Sequence, residues 1–376
     1  MEVSMSRQLL HTPEGVRDIY GDEKQKKNIV EKLLHEKIKG YGYRDIQTPT
    51  FEFFDVFSKE VGTTPSRELY KFFDKEGNTL VLRPDFTPSI ARCAAKYFMD
   101  ENVPIRFCYQ GNTFTNTSNL QGKLKEVTQM GAELIGDDSV YADAEMIAMT
   151  IESLYHAGLS DFQISIGNVE YFKGICGEAG LTEETENQLR ELISGKNFFG
   201  AEELLDGIHV KDTYKNALLK VSELFGGKEI LAKASELALN SRAKEAVHRL
   251  EKVYEVLCQY GVEKYVSFDL GMLSNYNYYT GIIFKGFTYG IGDAIVKGGR
   301  YNNLLKQFGK EAPAIGFVIV IDDLLVAMNR QETVISGVEH TCKIYYTEAD
   351  FEKQLMTAKK MRADGKCVEL LPEAQK

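Results

Sequence analysis

Apolar and polar positions alternate along this 376-residue chain with two different periods, so the sequence predicts both helices and strands. Residues 22–40 repeat apolar side chains at helical spacing, and residues 44–54 contain two short extended segments. Residues 69–83 are typical of a β-hairpin whose turn is DKEGN. Thr87 and Pro88 then begin a helix, because threonine favours the N-cap and proline the first turn.

Strands and helices alternate regularly only in a small part of the remaining chain. Strand patterns occur at 105–109, 127–135, 162–167, 265–271, 279–287 and 313–320. Ser139 begins a further helix, and residues 170–260 are mostly helical. Because strand–helix–strand alternation is scarce, a doubly wound parallel sheet is not expected. The sequence predicts an α+β fold with a mixed, mainly antiparallel sheet flanked by helices.

Three regions follow from this order of elements. Residues 1–335 form a core, which the helical segment 170–260 interrupts as an insertion. Residues 340–376 form a short C-terminal βαβ-like unit, since 342–371 has the pattern of strand, helix and strand. The insertion and the C-terminal unit are candidate surfaces for a partner, and the alternative is that the insertion covers the sheet.

One predicted strand, within residues 127–136, has two chemically different faces. One face carries apolar residues suited to the core, Met130, Ala132 and Leu134. The other face places Gln129 and Glu133 on either side of Gly131, ~14 Å apart at about 3.4 Å per residue. Gly131 is expected to leave the floor between them open for a small ligand. On this segment alone, a solvated strand face is the simpler interpretation.

Flanking segments favour a ligand pocket. Asp85 and Thr87 lie at a predicted strand-to-helix junction, where polar groups meet a helix N-terminus, and Tyr278 and Tyr279 precede a strand. Carboxylates, an amide and hydroxyls match the needs of an amino acid's ammonium group and of an imidazole. The alternatives are helix capping by Asp85 and Thr87, and core packing of one of the two adjacent tyrosines.

Composition describes an acidic globular chain. The net charge of −10 counts moderately against a nucleic-acid partner, because non-specific binding depends on basic surface. The six cysteines lack CxxC spacing and the six histidines lack HxxxH or HExxH spacing, so no disulfide framework, metal site or other cofactor is expected. No segment is typical of a signal peptide or approaches the ~20 apolar residues that cross a membrane. A cytoplasmic location is expected.

Five segments, in order, resemble the class II synthetase core of the histidyl-tRNA synthetase family. They are HTPEGVRDI (11–19), LRPDFT (82–87), CYQGNTFTNTSNLQGKLKEVTQMGAELIG (108–136), LGMLSNYNYYTG (270–281), and KGGRYNNLL (297–305) with AIGFVIVIDDLL (314–325). The resemblance covers about residues 8–330 and is colinear. It implies a histidine-binding site in which Asp85, Thr87 and Gln129 meet the α-amino group. Glu133 and Tyr279 would meet the imidazole, with Tyr278 also in the site.

The same resemblance marks three positions at which the synthetases carry arginines. These stabilise the phosphate on which the aminoacyl adenylate forms, where loss of one donor costs about 2.7–4 kcal/mol. The residues here are Thr115, Ser274 and Asp323. The basic residues that remain nearby are interpreted as surface or structural charges: Arg300, Lys123 and Lys125. Adenylation, and therefore charging of tRNA, is not expected.

A histidine pocket without these arginines, and with little room for an anticodon-binding domain, is similar to one branch of the family: the regulatory subunits of short-form ATP phosphoribosyltransferase. This implies a non-enzymatic chain that activates the catalytic subunit in the first step of histidine biosynthesis and conveys feedback inhibition by histidine. It also implies a hetero-oligomer with a homodimeric core, without a tRNA or membrane partner. The alternatives are an active histidyl-tRNA synthetase, a stand-alone histidine-binding paralogue, and an activator whose pocket binds nothing.

Overall fold

Helices and strands follow one another irregularly in the computed structural model, which describes residues 10–57, 64–101, 103–117, 123–273, 279–338 and 341–373. The α-helices are α1 (Gly21–Gly40), α2 (Thr87–Tyr97), α3 (Val140–His156), α4 (Val169–Glu178), α5 (Glu183–Ser194), α6 (Phe198–Gly207), α7 (Asp212–Lys220), α8 (Glu229–Leu237), α9 (Ser241–Tyr260), α10 (Ile321–Arg330) and α11 (Phe351–Ala363). The strands are β1 (Arg44–Asp45), β2 (Phe51–Phe53), β3 (Lys71–Phe73), β4 (Thr79–Leu82), β5 (Ile105–Phe114), β6 (Glu126–Ile135), β7 (Phe162–Asn168), β8 (Phe225–Gly226), β9 (Val266–Asp269), β10 (Ile282–Thr288), β11 (Val296–Arg300), β12 (Ala314–Val320), β13 (Cys342–Tyr346) and β14 (Val368–Pro372).

A nine-stranded sheet carries most of the strands. Its order is β1-β5-β6-β12-β11-β10-β7-β9-β8. The pairs β1–β5 and β7–β9 are parallel, and the other neighbours in this sheet are antiparallel. Helices α3 and α10 pack against β12, and α9 packs against β7. The structure confirms the predicted α+β fold with a mixed, mainly antiparallel sheet flanked by helices.

Local sequence chemistry accounts for several element boundaries. Strands β3 and β4 form the predicted hairpin, and the Asp74 carboxylate closes its turn by accepting from the Asn78 N–H at 2.8 Å. Helix α3 begins after Ser139, whose hydroxyl accepts from the Ala142 N–H at 3.1 Å. Helix α9 ends at Tyr260, and the next residue, Gly261, has a φ of +71° that favours glycine.

The structure differs from the sequence prediction at two places near the sheet. The apolar pattern does not predict β11, because Gly298 and Gly299 occupy two of its five positions and glycine disfavours strands. The prediction of Thr87 as the N-cap of α2 is wrong, since the cap residue is Phe86 and Thr87 lies inside the helix. The Thr87 hydroxyl is therefore free to contact β6 instead of the helix backbone.

The chain forms two compact units. The first contains residues 10–18 and 31–333, with α2–α10 and β1–β12. The second contains residues 19–30 and 334–373, with the parallel pair β13–β14 and α11. In the second unit, Arg362 donates to the Val368 carbonyl at 2.8 Å and so joins α11 to β14. The domain boundaries proposed from the sequence, 1–335, 170–260 and 340–376, stay predictions.

Helices α4–α9 fill the segment between β7 and β9. Helix α9 packs against α3 and α4, so this segment is attached to the helical layer as well as to the sheet. Among the helices that the structure describes, none combines the length and apolar character needed to cross a bilayer.

Candidate functional site

A cavity of about 190 Å³ opens on one face of the nine-stranded sheet, where β6, β12 and β11 lie side by side. Side chains from α2 and β5 close its other walls. The described lining residues are Thr64, Pro84, Asp85, Thr87, Tyr109, Thr113, Thr115, Val127, Gln129, Glu133, Tyr279, Lys297, Gly299, Tyr301, Gly316, Phe317, Val318 and Val320. The first compact unit supplies all of them.

Strand alternation on β6 sends its polar residues into this cavity. Gln129 and Glu133 line it, as the sequence pattern predicts for that face. Met130, Ala132 and Leu134 are fully buried on the opposite side. The alternative of a solvated strand face is wrong at Glu133, which is only 1% exposed.

Glu133 is the centre of the cavity's hydrogen bonding. The Thr87 hydroxyl donates to Glu133 Oε1 at 3.0 Å, and the Tyr109 hydroxyl lies 3.4 Å from the same oxygen. The Tyr301 hydroxyl donates to Oε2 at 2.5 Å. Burial raises the pKa of Glu133 to about 8, and the nearby Asp85 carboxylate acts in the same direction, although the three hydroxyl donors oppose the rise. Burial therefore favours the protonated form of the Glu133 carboxyl.

Glycine leaves the space that the Glu133 carboxylate occupies. Gly316 pairs with Glu133 in the β12–β6 register, and a Cβ at Gly316 would lie 1.6 Å from Glu133 Oε2. Any side chain at position 316 would displace the carboxylate, because real Cβ contacts of that length do not occur. The glycine therefore permits the position that the Glu133 carboxylate takes in the cavity.

The prediction of an open floor over Gly131 is wrong. A Cβ at Gly131 would lie 2.5 Å from the Tyr109 hydroxyl, so the Tyr109 phenol fills the space that the sequence analysis assigned to a ligand. Tyr109 stacks on Phe86 with ring centroids 4.5 Å apart, and the Arg83 guanidinium lies 4.1 Å from the centroid of the Phe86 ring. This stack fixes the phenol, so the space for a ligand lies above Tyr109 and not directly on β6.

The sequence leaves open whether Asp85 and Thr87 cap a helix or line a pocket. Asp85 Oδ1 accepts from the Thr87 N–H at 3.1 Å, so capping of the first turn of α2 describes part of the role of Asp85. Both residues line the cavity, and Thr87 is buried with its hydroxyl on Glu133. The structure thus brings together Asp85, Thr87, Gln129 and Glu133.

Tyr279 both packs and lines the cavity. It is 8% exposed, contacts Val169, Met272 and Ile283, and also forms part of the wall. Core packing is the alternative interpretation for one of the two adjacent tyrosines. Tyr279 packs in the core and also lines the cavity, so both interpretations apply to it. Tyr278 and Ser274 lie outside the described residues.

The positions at which the synthetases have arginine carry no positive charge here. Thr115 lines the cavity, and Asp323 lies in the first turn of α10, where burial and the neighbouring Asp293 carboxylate raise its pKa. Arg300 is 1% exposed and donates to Asp143 Oδ1 at 2.6 and 2.8 Å, which makes it a structural charge as expected. Lys297 is the single basic side chain among the described lining residues.

The described residues include one cluster with metal-ligand chemistry, formed by His35, Asp45 and Cys108. None of the three lines the cavity. The Asp45 carboxylate is held by the Lys39 ammonium at 2.8 Å and by the His35 ring nitrogen at 2.5 Å. These contacts occupy both carboxylate oxygens of Asp45. We therefore interpret the cluster as a network of polar and charged side chains at the β1–β5 edge of the sheet.

Sequence reasoning missed Tyr109, Tyr301 and Lys297. Tyr109 and Lys297 reach the site from β5 and β11, and Tyr301 follows directly after β11. Strand register is the signal that could have found the tyrosines, because Tyr109 pairs with Gly131, and Gly299, two residues from Tyr301, pairs with Gly316. Burial keeps the pKa of both tyrosines well above the ordinary value, so both remain neutral hydrogen-bond donors.

Comparison with known proteins gives the family. The family model for histidyl-tRNA synthetase matches residues 15–324. The ATP phosphoribosyltransferase regulatory subunit of Ruminiclostridium cellulolyticum is 40% identical over 365 residues, which are 97% of this chain and 87% of that protein. The protein of the same name from Acetivibrio thermocellus is 40% identical over 366 residues, 97% of this chain and 88% of that protein.

Solved structures agree with these sequence relatives. A crystal structure described as an ATP phosphoribosyltransferase regulatory subunit/histidyl-tRNA synthetase from Bacillus halodurans aligns with a TM-score of 0.87 at 34% identity, over 98% of this chain and 94% of that one. Histidyl-tRNA synthetase from Nostoc aligns with a TM-score of 0.80 at 20% identity, over 97% of this chain and 86% of that one, and supports the fold alone. The chain therefore belongs to the histidyl-tRNA synthetase family, and within it to the ATP phosphoribosyltransferase regulatory subunits.

Proposed function

We propose that this chain binds histidine in the Glu133 cavity and passes that signal to the catalytic subunit of a short-form ATP phosphoribosyltransferase. The observation that carries the proposal is the cavity itself. It places a buried carboxyl, an amide and hydroxyls on one small space, and its described lining contains no arginine. Such a lining suits an amino acid and does not suit the phosphates of ATP.

In the proposed complex, the imidazole would face Glu133 and Tyr279, and the α-ammonium group would face Asp85, Thr87 and Gln129. A neutral imidazole has one donor and one acceptor nitrogen, and a protonated Glu133 also offers both functions. The pair could therefore form without placing a net charge in the buried site. A ligand that lacks a ring N–H would leave the Glu133 carboxyl unpaired, which costs about 1–3 kcal/mol.

Regulation would follow if histidine binds one conformation of this chain better than another. Allosteric coupling of this kind is typically ~1–3 kcal/mol, and the catalytic subunit must change histidine affinity by the same factor. The proposed assembly is a hetero-oligomer around a homodimer of this chain, in the cytoplasm. Sizing of the chain alone and with the catalytic subunit tests that assembly.

The decisive experiment is to purify the chain with the catalytic subunit and to measure phosphoribosyl transfer with and without histidine. The informative variant is Glu133→Gln, and the matched control is Glu126→Gln, which lies on the same strand outside the cavity. We expect Glu133→Gln to bind histidine roughly 3- to 10-fold more weakly in calorimetry, because the amide cannot reproduce the geometry of the neutral carboxyl's hydrogen bond, which is worth about 0.5–1.5 kcal/mol. It should still activate the partner while inhibition by histidine moves to correspondingly higher concentration.

Two results would reject the proposal. Inhibition of the Glu133→Gln complex at the wild-type histidine concentration would move the sensor elsewhere. Histidine-dependent ATP–pyrophosphate exchange by the pure chain at a synthetase-like rate would establish the alternative of an active synthetase.

A further inference from the structure

A second cavity, of about 420 Å³, adjoins the first on the same face of the nine-stranded sheet. The two cavities share Tyr279 and Lys297 as wall residues. The second extends over β10 and toward β9, away from Glu133. It is larger than the proposed histidine site and has a different charge pattern.

Two lysines face each other in this second cavity. Lys285 on β10 pairs directly with Lys297 on β11 in the antiparallel register, and both side chains line the cavity. Directly opposed residues have Cβ atoms about 4.5–5.5 Å apart, and like charges at such positions destabilise a sheet. Burial and the neighbouring Lys297 ammonium both lower the pKa of Lys285. The arrangement is therefore unfavourable for the empty protein.

The acidic residues of this cavity offset that cost only in part, because the Asp293 and Asp269 carboxylates raise the pKa of Lys285 by less than burial and Lys297 lower it. Asp293 accepts from the Ala294 N–H at 2.8 Å, and its other oxygen lies 3.5 Å from Lys123 and 3.8 Å from Lys297. Asp269 accepts from the Gly271 N–H at 2.9 Å and so holds its own turn. Among the residues that the structure describes, Lys285 has neither a hydrogen bond nor an ion pair.

Apolar side chains complete the lining of this cavity. Met272 and Leu273 are nearly buried, and Phe287 lies two residues from Lys285 on the same side of β10. A cavity with apolar walls and a few convergent polar groups is the usual form of a small-molecule site. We propose that this cavity is a second ligand site, for a small organic anion whose phosphate or carboxylate group lies between Lys285 and Lys297.

This inference goes beyond histidine sensing, and it predicts that the chain binds two different ligands side by side. The anion would supply the partner that Lys285 lacks and would relieve the repulsion between the two ammonium groups. Its apolar part would lie on Met272 and Phe287. Because the two cavities share Tyr279, we expect the affinities of the two ligands to be linked.

The test uses the full chain and three probes with one aromatic body: phenyl phosphate, benzoate and uncharged benzamide. Calorimetry or ligand-observed NMR should show one-to-one binding of at least one of the two anions and no binding of benzamide. The anion that binds more tightly shows whether the site prefers a phosphate or a carboxylate group. Lys285→Gln should weaken that anion at least 10-fold, because it loses a charge-assisted hydrogen bond.

The matched control is Lys252→Gln, an exposed lysine on α9 that pairs with Glu255. It should leave anion affinity unchanged. An equal loss in both variants, or no binding of either anion to the wild type, would overturn the proposal. Histidine affinity in Lys285→Gln should stay within about twofold of the wild type, so failure of this site and failure of histidine sensing are distinguishable. Mutually exclusive binding of histidine and the anion would also overturn the idea of a separate site.

Stability of the empty protein gives a second measurement. Lys285→Met should raise the unfolding temperature in the absence of anions, because it removes an unpaired charge from a partly buried position. Phenyl phosphate or benzoate should then stabilise the wild type but not this variant. A lower unfolding temperature for Lys285→Met would show that the lysine is already paired within the fold, and the proposal would fail.

Discussion

Two buried acidic residues, Glu133 and Asp143, lie in the same compact unit and have opposite surroundings. Glu133 accepts hydrogen bonds from neutral hydroxyls and faces a cavity. Asp143 is bound by Arg300 at 2.6 Å and Arg249 at 2.7 Å, and it lines neither of the two cavities. A buried carboxyl without a cation keeps its proton and can exchange hydrogen-bond partners, whereas one held by two guanidinium groups is fixed.

The comparison explains why Arg300, which is close to the site in sequence, does not enter the cavity. Arg300 follows the two glycines of β11 and lies next to Tyr301, which touches Glu133. Its guanidinium nevertheless points to Asp143 and to the Asp137 carbonyl at 2.9 Å. The Arg300 charge thus stabilises the sheet instead of entering the cavity, whose described lining contains one basic side chain, Lys297.

The largest expected effect comes from removing the carboxylate of Asp143, which binds two arginines. Asp143→Asn leaves Arg300 buried beside a neutral amide, and removal of one partner of a buried ion pair costs about 3–5 kcal/mol. Urea denaturation should show this loss in the free energy of unfolding. The control is Asp138→Asn, which contacts the same arginine at 3.1 Å from an exposed position and should cost less than about 1 kcal/mol. Equal losses in the two variants would contradict the distinction between Asp143 and its neighbour.

A smaller effect is expected from Glu133, on how the free energy of unfolding depends on pH. The pKa of Glu133 in the folded chain, about 8, lies above its ordinary value, so the folded state holds a proton that the unfolded state has released. The free energy of unfolding should therefore fall as the pH rises from about 4.5 to about 8, by at most about 1.4 kcal/mol per pH unit, and should level off above that. Glu133→Gln should lack this component, and Glu126→Gln should retain it. Identical profiles for wild type and Glu133→Gln would mean that Glu133 is ionised in the fold.

The smallest effect tests how the hydroxyls tune Glu133. Tyr301→Phe removes a donor that favours the ionised carboxylate, so the pKa of Glu133 should rise by about one unit, or about 1.4 kcal/mol. Carboxyl carbon NMR should follow the titration directly. Tyr171→Phe is the control, because the Tyr171 hydroxyl is also buried but donates to the Ala234 carbonyl at a distance from the site. A pKa that stays the same or falls in Tyr301→Phe would show that the hydroxyl does not stabilise the charge.

Much of the fold could be predicted from the sequence because most elements have strong local patterns. The hairpin β3–β4 has a turn that its own Asp74 closes, and α3 has a serine cap. Strand β11 has no such pattern, since Gly298 is required by a neighbour: a Cβ there would lie 2.3 Å from the Phe284 ring. That requirement exists only after β10 and β11 have paired.

The site was predictable in part for the same reason. Gln129 and Glu133 lie on one strand, so period-two alternation places them together, and Asp85 with Thr87 precedes them at a recognisable junction. Tyr109 and Tyr301 reach Glu133 from two other strands, and nothing local to either tyrosine indicates which carboxyl it meets. The filled floor over Gly131 likewise depends on the register that sets Tyr109 opposite it.

Gly316 gives a way to interpret variation among relatives. Because a Cβ at this position would overlap the Glu133 carboxylate, the pocket cannot change gradually there. A relative with alanine at the equivalent position should hold its glutamate elsewhere, which would change the proposed histidine site in one mutational step. Surveys of feedback-insensitive pathways should therefore examine this backbone position first, before the residues that would touch the ligand.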